Sequence, residues 1–350
     1  MRVLYVGKVN FGGTCYSRYR AYVRLGCDVD VINIEDFKKS KSLIIRFLNN
    51  KNRYFLKKLN EKISNYSKNN YTIIHFDTPF YIFEHTLELI KNSTSSKIIF
   101  HYTDDIEVLK HGLLLNKNSY LLSDYIFTCN VFSIEYFKSI GVNHAFYNEV
   151  GYDDENIVIN NSIKFNDINI NFGFIGHYEK SYEKDLDMIS NSIFKLKNKN
   201  KSLRINLDVH GSGWFRNNFF KSKPYLKKIK KNITGLVSHS MYWSFLSSVD
   251  VGIGLFSTMN RNKTTGRTFE IPASNSLLLT RETDIIKTIF NHNETALFWN
   301  DKNIDIVIEN LIKDRDKSAK ICKNGHEFIR DNKFRWMDRV QEIIDIINLK

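Results

Sequence analysis

The chain has 350 residues, 42% of them hydrophobic and 14% aromatic, with only three prolines; this length and supply of core material predict two globular domains and exclude a disordered chain. A formal net charge of +13 predicts an anionic partner, whether a phosphorylated substrate, an acidic membrane surface or nucleic acid. Cys15, Cys27, Cys129 and Cys322 are scattered with no C-x-x-C pair, which argues against a zinc cluster or a disulfide framework and predicts a reduced, cytoplasmic protein.

Residues 2–6 read as a buried strand, 7–13 as a loop, 14–25 as a helix and 28–34 as a second strand, a βαβ unit that opens a parallel sheet. The N-terminus turns polar before it could form a signal-peptide apolar region, and no later stretch approaches ~18 uninterrupted apolar residues. Apolar runs at 72–76, 97–102 and 125–129 continue the α/β series. Between 148 and 167 the sequence becomes acidic and Asn-rich and loses its period, which places a domain boundary near 165. A second series follows with strands at 168–175, 203–209, 249–255 and 277–280. Helical spacing over 321–347 predicts one or two closing helices.

Lys38, Lys39, Lys41, Arg46, Lys51, Arg53, Lys57, Lys58 and Lys62 are interleaved with Phe47, Leu48, Phe55 and Leu59. That mixture suits peripheral contact with an anionic membrane, although a solvated face over a packed helix is the more frequent explanation of such a segment. A second basic patch, Lys221 to Lys231, lacks apolar partners and is suited to solubility or to attracting anionic substrates.

Gly12-Gly13 stands between the first strand and first helix, where a backbone without side chains lets a ligand approach helix-terminal amides; a tight turn with no ligand fits as well. The G-x-G-x-x-G fingerprint of nicotinamide enzymes is absent. Gly176-His177 ends the first strand of the second series, so Gly176 would line a ligand crevice, with His177 either a ligand contact or an ordinary loop histidine. His210-Gly211-Ser212-Gly213-Trp214 reads as a turn packed against an aromatic. The most informative stretch is Lys263-Thr264-Thr265-Gly266-Arg267-Thr268-Phe269-Glu270-Ile271-Pro272-Ala273, a short helix entering the strand Leu277 to Thr280. Thr264 or Thr265 would cap it, and Arg267 and Glu270, spaced i, i+3, would share one face. Arg267 or Lys263 could neutralise a departing diphosphate together with the helix-terminal amides, and Glu270 could accept both hydroxyls of a ribose. The alternative is a surface Arg–Glu pair.

From Phe172 onward the chain resembles the CgeB-type (spore-maturation-protein-like) glycosyltransferases of the GT-B fold. The resemblance rests on Phe174 to Gly176, on His210 to Trp214, on Arg267 to Ala273 with its Leu-Leu-Leu-Thr strand, and on Asn293-Glu294 leading into Phe298-Trp299-Asn300-Asp301. It covers about half the chain. It implies two Rossmann-like domains facing across a cleft, with closing C-terminal helices: an acceptor domain at 1–165, a nucleotide-sugar donor domain at 166–325, and a helix at 326–350 packing back on the N-terminal domain. It implies a donor site in the C-terminal domain, with Arg267 near the diphosphate and Glu270 on the ribose; the residue readings above add Gly12, Gly13, Gly176, His177, Lys263, Thr265 and Thr268 to the expected donor-binding set. Where the family has a glycine after the helix, this chain has Ser274-Asn275-Ser276; Asn275 tolerates the left-handed conformation that such a helix end needs.

The expected activity is transfer of a sugar from a nucleotide-sugar to a glycan, lipid-linked or protein acceptor, with no cofactor and no metal. For the base that takes the acceptor proton, Asp104 and Asp105 come first and His75 and Asp77 second, all at ends of N-terminal strands where Asp and Thr also serve as helix caps. The rival readings are a nucleotide-sugar epimerase on the same fold and a basic nucleic-acid-binding protein. No helix-turn-helix, RNA-recognition or zinc-finger pattern accompanies the charge, so no nucleic acid is expected.

Overall fold

The structure, a computed structural model, describes residues 1–350 apart from 39–52, 80, 110–114, 161–163, 166–168, 215–232, 236, 259 and 350. Most of the basic segment at 38–62 and all of the lysine patch at 221–231 lie outside the described residues. The chain divides into two compact units, residues 1–150 with 336–350, and residues 151–335.

The first unit is a six-stranded parallel sheet of β1 (Arg2–Gly7), β2 (Asp28–Asn33), β3 (Ile73–Asp77), β4 (Lys97–Tyr102), β5 (Tyr125–Thr128) and β6 (Ala145–Tyr147), in the order β2-β1-β3-β4-β5-β6. Its described helices are α1 (Thr14–Arg24), α2 (Glu35–Lys38), α3 (Arg53–Ser67), α4 (Glu84–Ser93), α5 (Ile106–Leu109), α6 (Lys117–Leu122) and α7 (Val131–Ser139). The inner strands β1, β3, β4 and β5 are buried almost throughout, Ile73–Asp77 completely, as expected of a parallel sheet covered on both faces, while the edge strands β2 and β6 are largely half-buried. Phe55 and Leu59 of α3 belong to this core, and Phe55 packs edge-on against Tyr81 at 5.4 Å. Phe55 is therefore a core anchor and not an apolar residue free to enter a membrane.

The second unit is a six-stranded parallel sheet of β7 (Asn169–Ile175), β8 (Arg204–His210), β9 (Ile233–Thr234), β10 (Val251–Gly254), β11 (Leu277–Arg281) and β12 (Leu297–Trp299), in the order β12-β11-β10-β7-β8-β9. Its described helices are α8 (Tyr182–Lys199), α9 (His239–Ser248), α10 (Gly266–Ala273), α11 (Asp284–Ile289), α12 (Ile304–Lys313) and α13 (Arg315–Asp331). Read from the first strand of the unit, this is the doubly wound Rossmann order, whose ligand crevice opens at the carboxyl ends of the two strands where the order reverses. Here those strands are β7 and β10. The first sheet reverses between β1 and β3, as in flavodoxin-like sheets.

The last helix, α14 (Trp336–Asn348), belongs to the first unit, with Val340, Ile343, Ile344 and Ile347 buried and α1 as its neighbour. The tail of the first unit thus starts at 336 rather than 326, because α13 packs on α10 and β11 of the second unit. The unit boundary falls at 150 rather than 165. The acidic stretch after it is no free linker: Asp153 is buried and Tyr152 pairs with Arg335 in a parallel bridge. In its last part, Lys164 is buried with its ammonium donating to the Ser247 and Val249 carbonyls at 2.5 and 2.9 Å.

Candidate functional site

The carboxyl edge of the second sheet assembles most of the residues expected there. β7 runs into Gly176 and His177, and β8 into Gly211 and Gly213; the two strand ends are clamped by Gly176 N–H donating to the His210 carbonyl at 2.9 Å and Tyr178 N–H to the Ser212 carbonyl at 2.8 Å. Trp214, fully buried, donates its indole N–H to the Gly176 carbonyl at 2.9 Å. Gly211 has φ +136°, and a Cβ there would stand 2.0 Å from the Gly176 oxygen. Only glycine fits this crossing. The His-Gly-Ser-Gly-Trp stretch is thus the brace that sets the position of Gly176. His177 is exposed, its Nδ1 paired with the Ser212 hydroxyl at 2.7 Å.

Helix α10 begins at the carboxyl edge because it follows β10 in chain order. Thr265 is its N-cap in extended backbone, and the Thr268 hydroxyl accepts from the Thr265 N–H at 3.0 Å, which satisfies one terminal amide. Thr268 is fully buried, so its place is structural, while Lys263 is exposed on the loop ahead of the helix. At the other end Asn275 takes φ +57°, with Ser276 N–H returning to the Ile271 carbonyl at 3.2 Å. The left-handed turn expected of Asn275 is present.

Arg267 reaches from the first turn of α10 to the end of β7: a Cβ built on Gly176 would lie 3.1 Å from its Nη1, and its guanidinium stands 5.4 Å from the Phe174 ring centre. The missing side chain at Gly176 makes room for that cation. Glu270, one turn further on and half-buried, accepts a hydrogen bond from the Tyr242 hydroxyl of α9. Burial raises its carboxyl above the ordinary carboxylate range, the Tyr242 hydrogen bond and the Arg267 charge pull it down, and Asp153 pushes it up. Tyr242 and Asp153 are 28 and 117 positions away in sequence, and no spacing pattern points to either.

The first unit places its expected residues differently. Gly12, at φ +81°, and Gly13 form the turn into α1, and no side chain caps that helix. Asp77 is buried in an ion pair with Arg18 and also accepts from the Tyr5 hydroxyl. Burial alone would raise its carboxyl, but the Arg18 charge, His75 and the hydrogen bonds from Tyr5 and Arg18 together bring it below its usual value. His75 is fully buried, pairs with the Tyr22 hydroxyl at 3.0 Å and stacks on Tyr5 at 4.9 Å; burial lowers its pKa to about 3. Neither group can take a proton from a bound acceptor without being uncovered. Asp105, also fully buried, accepts from the Glu107 N–H at 3.0 Å and serves as the cap of α5. Asp104 is half-buried beside Thr103, which leaves it the most accessible of the four.

Among the described residues no three His, Cys, Asp or Glu side chains gather as a metal site, and no helix is long and apolar enough to cross a membrane. A cavity of about 660 Å³ lined by Asn293, Lys317, Lys320 and Glu327 lies elsewhere in the second unit, and none of the residues above lines it.

Residues 193–345 match the family model described as glycosyl transferase-like. That match spans most of the second unit and part of α14. No curated protein is significantly similar in sequence. Among solved structures, sucrose-phosphate synthase from Thermosynechococcus elongatus superposes with a TM-score of 0.64 at 11% identity, covering 100% of this chain and 98% of that one. HepE of Anabaena, in complex with UDP and glucose, gives 0.62 at 12% identity over 100% of both chains. An alpha-glucosyltransferase in complex with UDP and a DNA containing a modified base gives 0.66 at 13% identity over 99% of both. With the two sheets described above, these likenesses establish the two-domain Rossmann-like architecture of GT-B proteins.

Proposed function

We propose that this chain transfers a sugar from a nucleotide-sugar donor to an acceptor, with the donor held at the carboxyl edge of the second unit. The observation that carries the reading is the placement of Arg267 against Gly176, at the strand where the order reverses, with Glu270 on the same short helix. A diphosphate placed over the first turn of α10 would meet the Arg267 guanidinium and the positive end of the helix, which stabilise the charge that develops as the sugar departs. Glu270 would accept from the ribose hydroxyls, and Lys263 and His177, both exposed, stand on the loops that border the same edge. The glycosyltransferase match over residues 193–345 and the UDP bound by HepE and by the alpha-glucosyltransferase support a nucleotide-sugar as the donor.

In this proposal the enzyme is of the CgeB type, cytoplasmic and metal-independent, the cation role being filled by Arg267. The acceptor is a glycan, a lipid-linked sugar or a protein, delivered to the first unit with Asp104 as the proton acceptor. The basic segment at 38–62 gives peripheral contact with anionic membrane.

Thermal shift against UDP-, GDP-, CMP- and dTDP-sugars tests the donor, since selective binding stabilises by mass action. Arg267→Ala and Glu270→Ala should each lower kcat/KM by an amount equivalent to ~2–4 kcal/mol with the fold intact. Near-wild-type turnover in both would refute the donor site. Activity should persist in EDTA, and loss restored by manganese would refute metal independence. Conversion of the nucleotide-sugar to an epimer without acceptor would replace transfer by isomerisation.

A further inference from the structure

Besides Arg267, two features hold the Glu270 carboxylate in place. The first is the Tyr242 hydroxyl of α9, which donates to Oε2. The second is an empty volume: a Cβ built on Gly266 would stand 3.1 Å from Glu270 Oε1 and 3.3 Å from Cδ and Oε2. Gly266 does not have the positive φ that would demand glycine. A glycine in the first turn also weakens a helix relative to alanine. The space taken by the carboxylate therefore accounts for the glycine better than the backbone does.

We propose that Tyr242 and Gly266 are positioning residues for ribose recognition. Tyr242 fixes one oxygen of Glu270, Gly266 leaves the space in which the carboxylate lies, and the remaining lone pairs are aimed at a vicinal diol. The proposal rests on the donor-site reading above. A carboxylate offers about four acceptor positions, so one hydrogen bond from Tyr242 leaves enough for both ribose hydroxyls. The charged and titratable groups around Glu270 are Tyr242 from α9, Arg267 on its own helix and Asp153 from the start of the unit, with His239 Nε2 3.8 Å from Asp153. The Tyr242 hydrogen bond is one of the two influences that favour the ionised carboxylate. Without it, Glu270 should take up its proton at higher pH.

The experiment uses the full chain and whichever of UDP, GDP, ADP and CDP stabilises it most, titrated calorimetrically beside its 2′-deoxy form. The wild type should prefer the ribonucleotide about ten-fold or more, and Glu270→Ala should abolish that preference. Tyr242→Phe and Gly266→Ala should each weaken ribonucleotide binding ~3–10-fold and leave the 2′-deoxy form within about two-fold. Gly266→Ala should melt no lower than the wild type. In Tyr242→Phe the loss of ribonucleotide affinity on acidification should begin at higher pH. If no nucleotide binds, or Glu270→Ala binds both forms as the wild type does, the donor-site reading falls and this proposal with it. If Glu270→Ala loses the preference while Tyr242→Phe and Gly266→Ala match the wild type in affinity, preference and pH profile, only the positioning role falls. Equal weakening of both nucleotide forms with a lowered Tm would also overturn it, by making the two residues merely structural.

Discussion

Replacement of Asp77 by alanine separates a structural carboxylate from a catalytic one. In the folded protein Arg18 and Asp77 are 0% and 1% exposed, so removing the carboxylate strands a guanidinium in the interior. Breaking a buried pair from one side costs ~3–5 kcal/mol, against ~5–15 kcal/mol for the whole stability of a domain. The Trp336 ring, 4.6 Å from the Arg18 guanidinium carbon, and the Thr103 hydroxyl at 3.5 Å remain to Arg18, which places the loss inside that range rather than above it. For a unit of this size the shift in Tm is ~2–4 °C per kcal/mol, or ~6–20 °C in all. Calorimetry of the wild type and the variant should show the transition of the first unit lowered and that of the second unmoved. Arg18→Met combined with Asp77→Asn removes both charges and should recover most of the loss. An Asp77→Ala protein with an unchanged Tm and abolished transfer would refute the argument and return Asp77 to the role of catalytic base.

Three further outcomes follow from the geometry. His75 and His101 are buried and both titrate below the ordinary histidine range, mainly through burial; the unfolded chain therefore binds protons first, and the first unit should lose ~1.4 kcal/mol per pH unit for each histidine as pH falls below ~6.5, with urea midpoints that stay flat across this range counting against it. Gly211→Ala, whose Cβ would lie 2.0 Å from the Gly176 oxygen, should separate the ends of β7 and β8 and abolish nucleotide binding, and a variant that binds normally would show the brace to be dispensable. Replacing Lys57 and Lys58, both exposed on α3, by glutamate should reduce salt-sensitive co-sedimentation with anionic vesicles while sparing hydrolysis of a nucleotide-sugar; equal sedimentation with the wild type would leave the helix an ordinary solvated face.

What the sequence by itself determined is local. Apolar runs bounded by Gly, Asn and Asp marked β1, β4, β7 and β11 to within a residue or two, and the spacing of Arg267 and Glu270 put both on one short helix. Asn275 foretold its own left-handed turn, because short polar side chains tolerate that conformation where longer ones do not. The short strands β6, β9 and β12, two or three residues each, left no period to read. The tertiary structure alone decided which polar strand ends face solvent. Asp77 and Asp104 look alike in sequence, but the packing of α1 brings Arg18 over one and leaves the other half-exposed. It also decided that the helix returning to the first unit starts at Trp336 and that Tyr242 meets Glu270. Burial and pairing between residues distant in the chain depend on strand order and helix packing, and these are properties of the assembled core that no local window contains.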